Sequence, residues 1–272
     1  KKSFAPPSST ITTITKTTIT SPAPLGNTIK DTTGKNHHDA NNTNNNNTQK
    51  HQQSNQKELL FVGGLPWTMI MHPGLWAVFG SHVAFNFGAY YLTNWSPTYY
   101  KDVLELEPKD AKLHLMCPHI TNLCVRTLNP ALVTIVANKG FSLLSSRKFF
   151  TCFGFVMAAI CLFPVYAFKS WNPWISTILL SLANASFGLA PTGFKSNYLD
   201  ITEKYVGIVA GYGNTLGTVA SILGPKITAA TLVHSDGNWH VVLGTVCIIN
   251  LVAALNYART AVVTPVESMI LQ

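Results

Sequence analysis

The chain begins with a polar segment and then alternates between long apolar runs and short polar connections. Six of the runs are long enough to cross a bilayer as helices, because about 20 helical residues cover a hydrocarbon core of roughly 30 Å. The run over 76–95 contains no Lys, Arg, Asp or Glu. The pattern predicts an all-α membrane protein, with a six-helix domain over 58–262 and a short tail over 263–272. The predicted spans are about 74–96, 113–137, 149–168, 174–194, 205–233 and 239–259.

The second run departs most from an ordinary span, since Arg126 lies near its middle. Arginine at the centre of a membrane helix costs about 2.5–3.5 kcal/mol on insertion scales unless it faces protein or water. Pro164 and Pro191 lie in or near the third and fourth spans. Proline removes a backbone hydrogen bond, so kinked or broken helices are expected at these two positions.

The first 57 residues have a different composition from the rest. Residues 8–22 are rich in Ser and Thr, and residues 36–56 are dominated by Asn, Gln and His. Such a segment cannot bury enough apolar surface to offset the conformational entropy that folding would remove. We therefore expect 1–57 to be a disordered low-complexity segment on the cytoplasmic side of the membrane.

The formal net charge of +8 does not describe one basic surface. Residues 1–57 hold 7 Lys and 2 Asp, and the remainder holds 12 Lys or Arg and 9 Asp or Glu. No basic face with interleaved aromatic residues is present, so nucleic acid is not an expected partner. Six spans place both ends on one side, where the segments 1–57, 138–148 and 195–204 and the C-terminal end from Arg259 onward hold 13 Lys and Arg, against 4 on the other side. The charge bias predicts that both termini are cytoplasmic.

Motifs of enzymes and of cofactor or metal sites are missing from the sequence. It contains no GxGxxG, GxxxxGK[ST], HExxH or GxSxG motif. None of the six predicted spans contains Asp or Glu. The five cysteines form no CxxC pair and lie in or beside apolar runs, as small buried hydrophobic side chains do. We expect neither an enzyme nor a cofactor nor a metal site.

The predicted spans instead hold a sparse set of amides, hydroxyls and the cations Arg126 and Lys226. Polar groups in hydrocarbon cost free energy unless they pair or line a wet cavity. A net-positive cavity lined by hydrogen-bond donors suits an anion, although a hydrogen bond between helices explains any single Asn as well. The candidate residues of a substrate pathway are Asn86, Tyr90, Tyr91, Asn94, Asn184 and Asn214.

Small residues recur at helical spacing in the fifth predicted span. At such positions another helix backbone can approach closely. Tight packing alone explains the pattern, so it predicts a bundle rather than a function. The residues predicted to pack against another helix are Gly207, Gly211, Gly213 and Gly217.

Two blocks of sequence carry an ordered set of motifs. The first is Leu65-Pro66-Trp67, His72-Pro73, Trp76-Ala77, Asn86-Phe87-Gly88 and 92–100, which reads LTNWSPTYY. The second is Gly193-Phe194, Asn197, Asp200-Ile201, Tyr205, Gly207, Gly211, Asn214-Thr215, Gly217 and Gly224-Pro225. They resemble the seventh helix and the tenth-to-eleventh helix signature of the anion:cation symporter family of the major facilitator superfamily. Arg147-Lys148 and Trp239 match the residues before that family's ninth and twelfth helices.

The family includes sodium/phosphate cotransporters, sialin, vesicular glutamate transporters and plant plastid phosphate transporters. The resemblance covers most of 65–260 and implies the C-terminal half of a major facilitator fold. The segment 1–57 would then be the central loop, and an N-terminal six-helix half would be missing. By the same resemblance Asn86, Tyr90 and Tyr91 face the central pathway. Asn197, Asp200, Arg147 and Lys148 form a gate or its bracing.

The chain departs from the family pattern at the end of the second span. Asn129-Pro130 and Ala137-Asn138 replace Gly-Gly and Ala-Asp, so the resemblance implies that the acidic partner of Arg147 and Lys148 is absent. Glu203 stands in place of the family's proline, and Ser221 in place of a glycine.

Together these features predict a transporter of phosphate or small organic anions that works by alternating access and is coupled to Na⁺ or H⁺. Its expected partners are the anion, the coupling cation, the lipid bilayer and the missing half. A second interpretation stays open at this point: a non-transporting membrane protein, either a degenerate remnant or a half-transporter that must assemble with a partner.

Overall fold

The computed structural model describes residues 61–62, 64–167 and 172–270. The segment 1–57, predicted to be disordered, lies outside these residues. The described elements are, in chain order, β1 (Phe61–Val62), β2 (Leu65–Pro66), α1 (Trp67–Ile70), α2 (Pro73–Asp102), α3 (Pro108–Asn138), α4 (Leu143–Ala167), α5 (Pro173–Leu189), α6 (Pro191–Asp200), α7 (Val206–His234), α8 (Trp239–Thr260) and α9 (Val266–Ile270). The two strands pair antiparallel as a short hairpin, and the other described elements are helices, so the described chain is mostly helical, as the sequence predicts.

Proline and capping side chains mark where several long helices begin. The first helical residue has no intrahelical partner for its N–H, so proline is tolerated there and its φ angle suits the helix. At α5 the side chain of Asn172 also accepts a hydrogen bond from the N–H of Trp174 at 2.9 Å. The prolines at helix starts are Pro73, Pro108, Pro173 and Pro191.

Five stretches of helix are long and apolar enough to cross a membrane: Pro108–Asn138, Leu143–Val165, Pro173–Asp200, Val206–His234 and Trp239–Thr260. The helix α2, which contains the first predicted span, has 30 residues and is also long enough. It is not among the five, since polar side chains such as His82, Asn86 and Asn94 interrupt its apolar sequence. The second span is one continuous helix of 31 residues that includes Pro118 and Pro130.

The fourth span has the expected break beside Pro191 but ends later than predicted. The helix is interrupted at Ala190, because Pro191 lacks the N–H that would continue the ladder. It then resumes as α6 and reaches Asp200, so the predicted loop over 195–204 is helical over its first half. Lys195 therefore lies on a helix. Pro164, by contrast, lies within the continuous helix α4.

The six-helix unit has a definite order of neighbours. The main packing contacts run from α3 to α5, α5 to α4, α4 to α8, α8 to α2, and α2 to α7. The helices α3 and α7 stand at the two ends of this series. None of the most apolar 18-residue window of α3 is buried, and only 22% of the corresponding window of α7. These two helices therefore expose most of their surface in this chain.

Aromatic side chains fill the interior between α2, α4, α5 and α6. The rings of Phe155 and Phe194 are stacked with centroids 6.3 Å apart and join α4 to α6. The rings of Phe85 and Phe187 meet edge to face at 6.4 Å and join α2 to α5. All four side chains are buried. Such pairs add specific geometry to the apolar area that holds the bundle together.

Candidate functional site

A polar seam joins α2, α6 and α7 inside the bundle. We define it as His82, Asn86, Tyr198, Gly213 and Gly217. The Nδ1 atom of His82 lies 3.0 Å from the hydroxyl oxygen of Tyr198, and both side chains are buried. The backbone of α7 approaches these groups closely: a Cβ added to Gly213 would meet the Tyr198 hydroxyl, and one added to Gly217 would meet the Asn86 amide. The glycines therefore allow α7 to lie against polar groups of the other two helices.

The other two glycines of the predicted packing set behave differently. Gly207 and Gly211 are exposed, and a Cβ built on either one meets no described atom within 4 Å. Residues four apart lie on nearly the same face of a helix, so Gly207 and Gly211 share one face of α7 and Gly213 and Gly217 share another. The face with Gly207 and Gly211 does not point toward α2. The packing partner predicted for Gly207 and Gly211 is thus not among the described residues.

Four of the six predicted pathway residues are accessible from outside the bundle. Asn86 is partly buried, whereas Tyr90, Asn94 and Asn214 are exposed. The Nδ2 group of Asn94 donates to the backbone carbonyl of Tyr90 at 2.9 Å, so its amide is partly satisfied within α2. The accessible faces of α2 and α7 thus carry amides and a phenol at positions deep within the helices.

The remaining two predicted pathway residues are buried. Tyr91 is 3% exposed and lies in the apolar core. Asn184 accepts a hydrogen bond from Asn122 at 3.1 Å, which is the contact between helices that the sequence left as an alternative. Asn184 also lines a mainly apolar cavity of about 320 Å³ together with Thr93 and His119. We therefore leave Tyr91 out of the pathway proposed below.

An ion pair joins the start of α4 to the end of α6. The Nε atom of Arg147 donates to Oδ2 of Asp200 at 2.7 Å, and the two side chains are only 16% and 14% exposed. The resemblance had implied that the acidic partner of Arg147 was lost with the departure near Asn138. This implication was wrong, because Asp200 on another helix supplies the carboxylate. We call Arg147 and Asp200 the brace.

The residues around the brace tie further helices to it. Asn197, one turn before Asp200, donates through Nδ2 to the hydroxyl of Tyr257 on α8 at 2.9 Å. Gly193 lies directly against the backbone of α4, beside the Arg147 carbonyl. Lys148 is partly buried and makes no ion pair with any residue that the structure describes.

The C-terminal segment is held near the same end of the bundle. The carboxylate of Glu267 accepts hydrogen bonds from the backbone N–H groups of Glu203 and Lys204 and from the Thr202 hydroxyl, at 2.7–3.0 Å. Burial opposes ionisation of Glu267, but these hydrogen bonds to the carboxylate outweigh it and lower its pKa. The tail after α8 is therefore anchored to the connection between α6 and α7.

The described residues offer no obvious set of metal ligands. Within them, no three His, Cys, Asp or Glu side chains lie together as a metal site requires, and the five cysteines are free thiols. The chemistry available at the seam and brace is hydrogen bonding and charge.

Two features of the site could not be found by sequence pattern. His82 and Tyr198 are 116 residues apart, and nothing in either local sequence marks them as partners. Lys195 was assigned to a loop, although its ammonium group lies 5.5 Å from the ring centroid of Phe85 on α2. Lys195 is only five residues before Asp200, and two residues at this spacing can lie on one helix. This short spacing is the sequence feature that could have placed Lys195 on the helix.

Comparison with known proteins identifies a family and several relatives. The sequence profile of the Major Facilitator Superfamily matches residues 33–225. The chain is 32% identical over 170 residues to "Probable anion transporter 6" of Oryza sativa subsp. japonica, a match that covers 62% of this chain and 39% of that protein. It is 28% identical over 179 residues to "Sodium-dependent phosphate transport protein 1, chloroplastic" of Arabidopsis thaliana, covering 65% and 34%. It is 28% identical over 200 residues to human "Sialin", covering 72% and 40%.

The matches cover only part of each relative. This chain spans between about a third and two fifths of the length of these three proteins.

Proposed function

The chain belongs to the major facilitator superfamily, among the relatives of the anion:cation symporters, and we propose that it forms one six-helix half of a transporter for phosphate or small organic anions. The multi-pass membrane architecture agrees with this membership. In the proposed protein the six described long helices move against a second six-helix half, and the substrate binds between them.

The observation that carries the proposal is the charge of the polar groups inside the membrane helices. The predicted spans contain no Asp or Glu, whereas they contain Arg126 and Lys226, and Lys195 follows the fourth span directly on α6. Uncompensated cations within a membrane are costly, so they face protein, water or a counter-ion. With amides and a phenol on the accessible faces of α2 and α7, the surface is suited to an anion. The proposed pathway residues on these faces are Asn86, Tyr90, Asn94 and Asn214. Asn184 of α5 is added because it lines the cavity of about 320 Å³.

The brace supports a rigid-body mechanism. Alternating access requires one helical unit to rock against the other without losing its own packing. The pair of Arg147 and Asp200, together with Asn197, fastens α4, α6 and α8 at one end of the unit. In this proposal the brace keeps these helix ends together while the pathway side opens and closes, and Lys148 contributes positive charge beside it.

The energy source and the orientation are parts of the same proposal. We infer coupling to Na⁺ or H⁺ from the resemblance to symporters, and cytoplasmic termini from the excess of Lys and Arg in the segments on that side. The end of the bundle that carries the brace is then the cytoplasmic end. The alternative interpretation, a non-transporting membrane protein, predicts the same helices but no substrate movement.

Uptake into liposomes tests the proposal. The full-length protein that contains this chain, purified and reconstituted, should accumulate labelled phosphate or a small organic anion when a Na⁺ or H⁺ gradient is imposed, and should stop when an ionophore removes the gradient. Asn214→Leu should lower the uptake, because it removes an exposed amide from the pathway. Val252→Ala, on the exposed side of α8, serves as the control variant. If no anion of a broad panel is taken up under either gradient, the protein is not such a transporter.

A further inference from the structure

The cavity of about 320 Å³ lies between α2, α3 and α5 and has mainly apolar walls. Binding sites for small molecules are concave and mostly apolar, and their volumes start at roughly 300 Å³. The space is therefore sufficient for a small ligand that carries a ring or a short branched chain. The apolar walls include Leu92, Leu115, Met116, Ile120 and Leu180.

One hydrogen-bond donor at this cavity lacks a protein partner. The Nδ2 group of Asn122 donates to the backbone carbonyl of Asn184 at 2.6 Å, which fixes the orientation of the Asn122 amide. The same group lies 3.1 Å from Oδ1 of Asn184, so this oxygen is the acceptor and the Asn184 Nδ2 group faces elsewhere. No described residue accepts a hydrogen bond from that Nδ2 group, although Asn184 is only 7% exposed and lines the cavity. A buried donor without a partner costs free energy, so the position favours a ligand with an acceptor oxygen.

Contacts between α2 and α5 place this donor along the cavity. Near the start of α5, the Thr177 hydroxyl lies 2.8 Å from the hydroxyl of Tyr100. Near its end, the ring of Phe187 meets the ring of Phe85. Asn184 is closer in sequence to Phe187 than to Thr177, and both of these residues lie on the same helix. The free amide is therefore at the deeper end of the cavity, by which we mean the end nearer the middle of the membrane helices.

The cavity opens on the face of α2 that carries proposed pathway residues. Thr93 and Pro97 line the cavity and are exposed. They follow Tyr90 by three and seven residues, so the three residues share one face of the helix. Tyr90 is exposed on this face as well. In the proposed transporter, a molecule in the pathway therefore reaches the cavity without passing through the packed core.

Arg126 places a positive charge near the deeper end. It follows Asn122 by four residues, so the two share a face of α3 and are separated by about 6 Å along the helix axis. Neither of the two ion pairs formed by the described residues includes Arg126. None of the described residues that line the cavity is acidic. A carboxylate bound at this end would gain both the Asn184 donor and a nearby positive charge.

We propose that this cavity binds the apolar group of a small organic carboxylate, whose carboxylate accepts a hydrogen bond from Asn184, in preference to inorganic phosphate. The inference rests on the proposed function, since it names the class of the transported anion. Inorganic phosphate presents polar oxygens on every side, and apolar walls cannot replace the water that it would lose. An apolar group instead leaves water for the surface of Leu115, Met116 and Leu180, which is favourable in proportion to the buried area.

Binding, measured apart from transport, tests the site. The full-length protein that contains this chain is titrated in neutral detergent with phenylacetate, acetate or inorganic phosphate. The shift of the unfolding temperature reports binding, because a ligand of the native state stabilises it. Phenylacetate should act at concentrations at least about tenfold below those of acetate and phosphate, since only its ring fills the cavity. Phenylacetamide has the ring without the charge and should be weaker than phenylacetate by about tenfold.

Variants separate the two contacts of the ligand. Met116→Trp fills the cavity with a larger side chain, so it should remove the advantage of phenylacetate over acetate. Ile120→Trp fills the same cavity and replaces this variant if it does not fold. Asn184→Leu removes the donor at similar size and should weaken phenylacetate binding about fivefold or more. Ile135→Trp, on an exposed part of α3 outside the cavity, is the matched control and should leave all the affinities unchanged.

The outcomes that would overturn the site differ from those that concern transport. Equal binding of phenylacetate and acetate, or phenylacetate binding that is unchanged by either the filling variant or Asn184→Leu, would overturn it. Equal binding of phenylacetate and phenylacetamide would do so too, since the cavity would then accept any apolar molecule, a lipid chain included. Because binding does not require uptake, a preference for phenylacetate without gradient-driven uptake would contradict the proposed function and not the site. Uptake of phosphate by a protein that does not bind phenylacetate would contradict the site and not the proposed function.

Discussion

Asp200→Asn is expected to destabilise the protein by about 3 kcal/mol or more, because it leaves the Arg147 guanidinium largely buried without its counter-charge. Arg147→Gln should do the same from the other side. In purified protein both changes should appear as a large fall in the unfolding temperature and as reduced uptake in liposomes. The double variant should recover much of the loss, since neither charge then remains unpaired in the interior.

An exposed ion pair in the same chain provides the matched control. Lys109 and Glu107 lie 2.9 Å apart, but their side chains are 73% and 67% exposed. Exposed pairs contribute only about 0–1 kcal/mol, so Glu107→Gln should leave the unfolding temperature almost unchanged. Single variants of the brace that unfold like the unaltered protein, or a double variant that is as unstable as the sum of the two, would contradict a coupled, buried pair.

Gly193→Ala is the second change with a large expected effect. The added methyl group would meet the Arg147 carbonyl and the Thr151 hydroxyl, and would lie 2.8 Å from the Thr151 backbone nitrogen. Backbone atoms within a packed helix cannot move aside as the end of a side chain can. We expect α6 to be forced away from α4, with a loss of about 2–3 kcal/mol. Since the brace joins the same helices, the loss should be smaller when measured in the Asp200→Asn variant.

The control for this prediction is a glycine in open surroundings. Gly211 lies within α7, and a Cβ there meets no described atom within 4 Å. Alanine is the better helix former by up to about 1 kcal/mol, so Gly211→Ala should be neutral or slightly stabilising. The comparison is made on the unfolding temperature in detergent. If Gly193→Ala and Gly211→Ala have equal effects, the close approach of α6 to α4 is not as described.

Much of the architecture could be predicted because hydrophobicity acts locally along the chain. Each apolar run became helix, and the break near Pro191 follows from the missing N–H of that one residue. The end of the same span was misplaced, because Lys195 and Ser196 look like loop residues in a hydropathy pattern. The helix nevertheless continues to Asp200. The carboxylate of Asp200 pairs with Arg147, and this ion pair stabilises the extra turn.

The site was less predictable because its contacts join distant parts of the chain. Arg147 and Asp200 are 53 residues apart in the sequence. The resemblance therefore assigned both to a gate or its bracing without predicting an ion pair between them. Two pairs of glycines in α7 have the same spacing of four residues in the sequence. Only the pair Gly213 and Gly217 faces α2 and α6. Which side of a helix meets a neighbour is decided by packing of the whole bundle, which a repeat of small residues does not encode.

In the proposed transporter the polar faces of α2 and α7 line an aqueous pathway for an anion. It can be tested by labelling with a membrane-impermeant thiol reagent, in full-length protein whose native cysteines have been replaced. We expect Tyr90→Cys and Asn214→Cys to react and transported anion to slow the reaction. Ile248→Cys, on the exposed apolar side of α8, should stay unlabelled in liposomes. Labelling of Tyr90→Cys and Asn214→Cys no faster than that of Ile248→Cys would show that these faces meet lipid, and would contradict the proposed pathway.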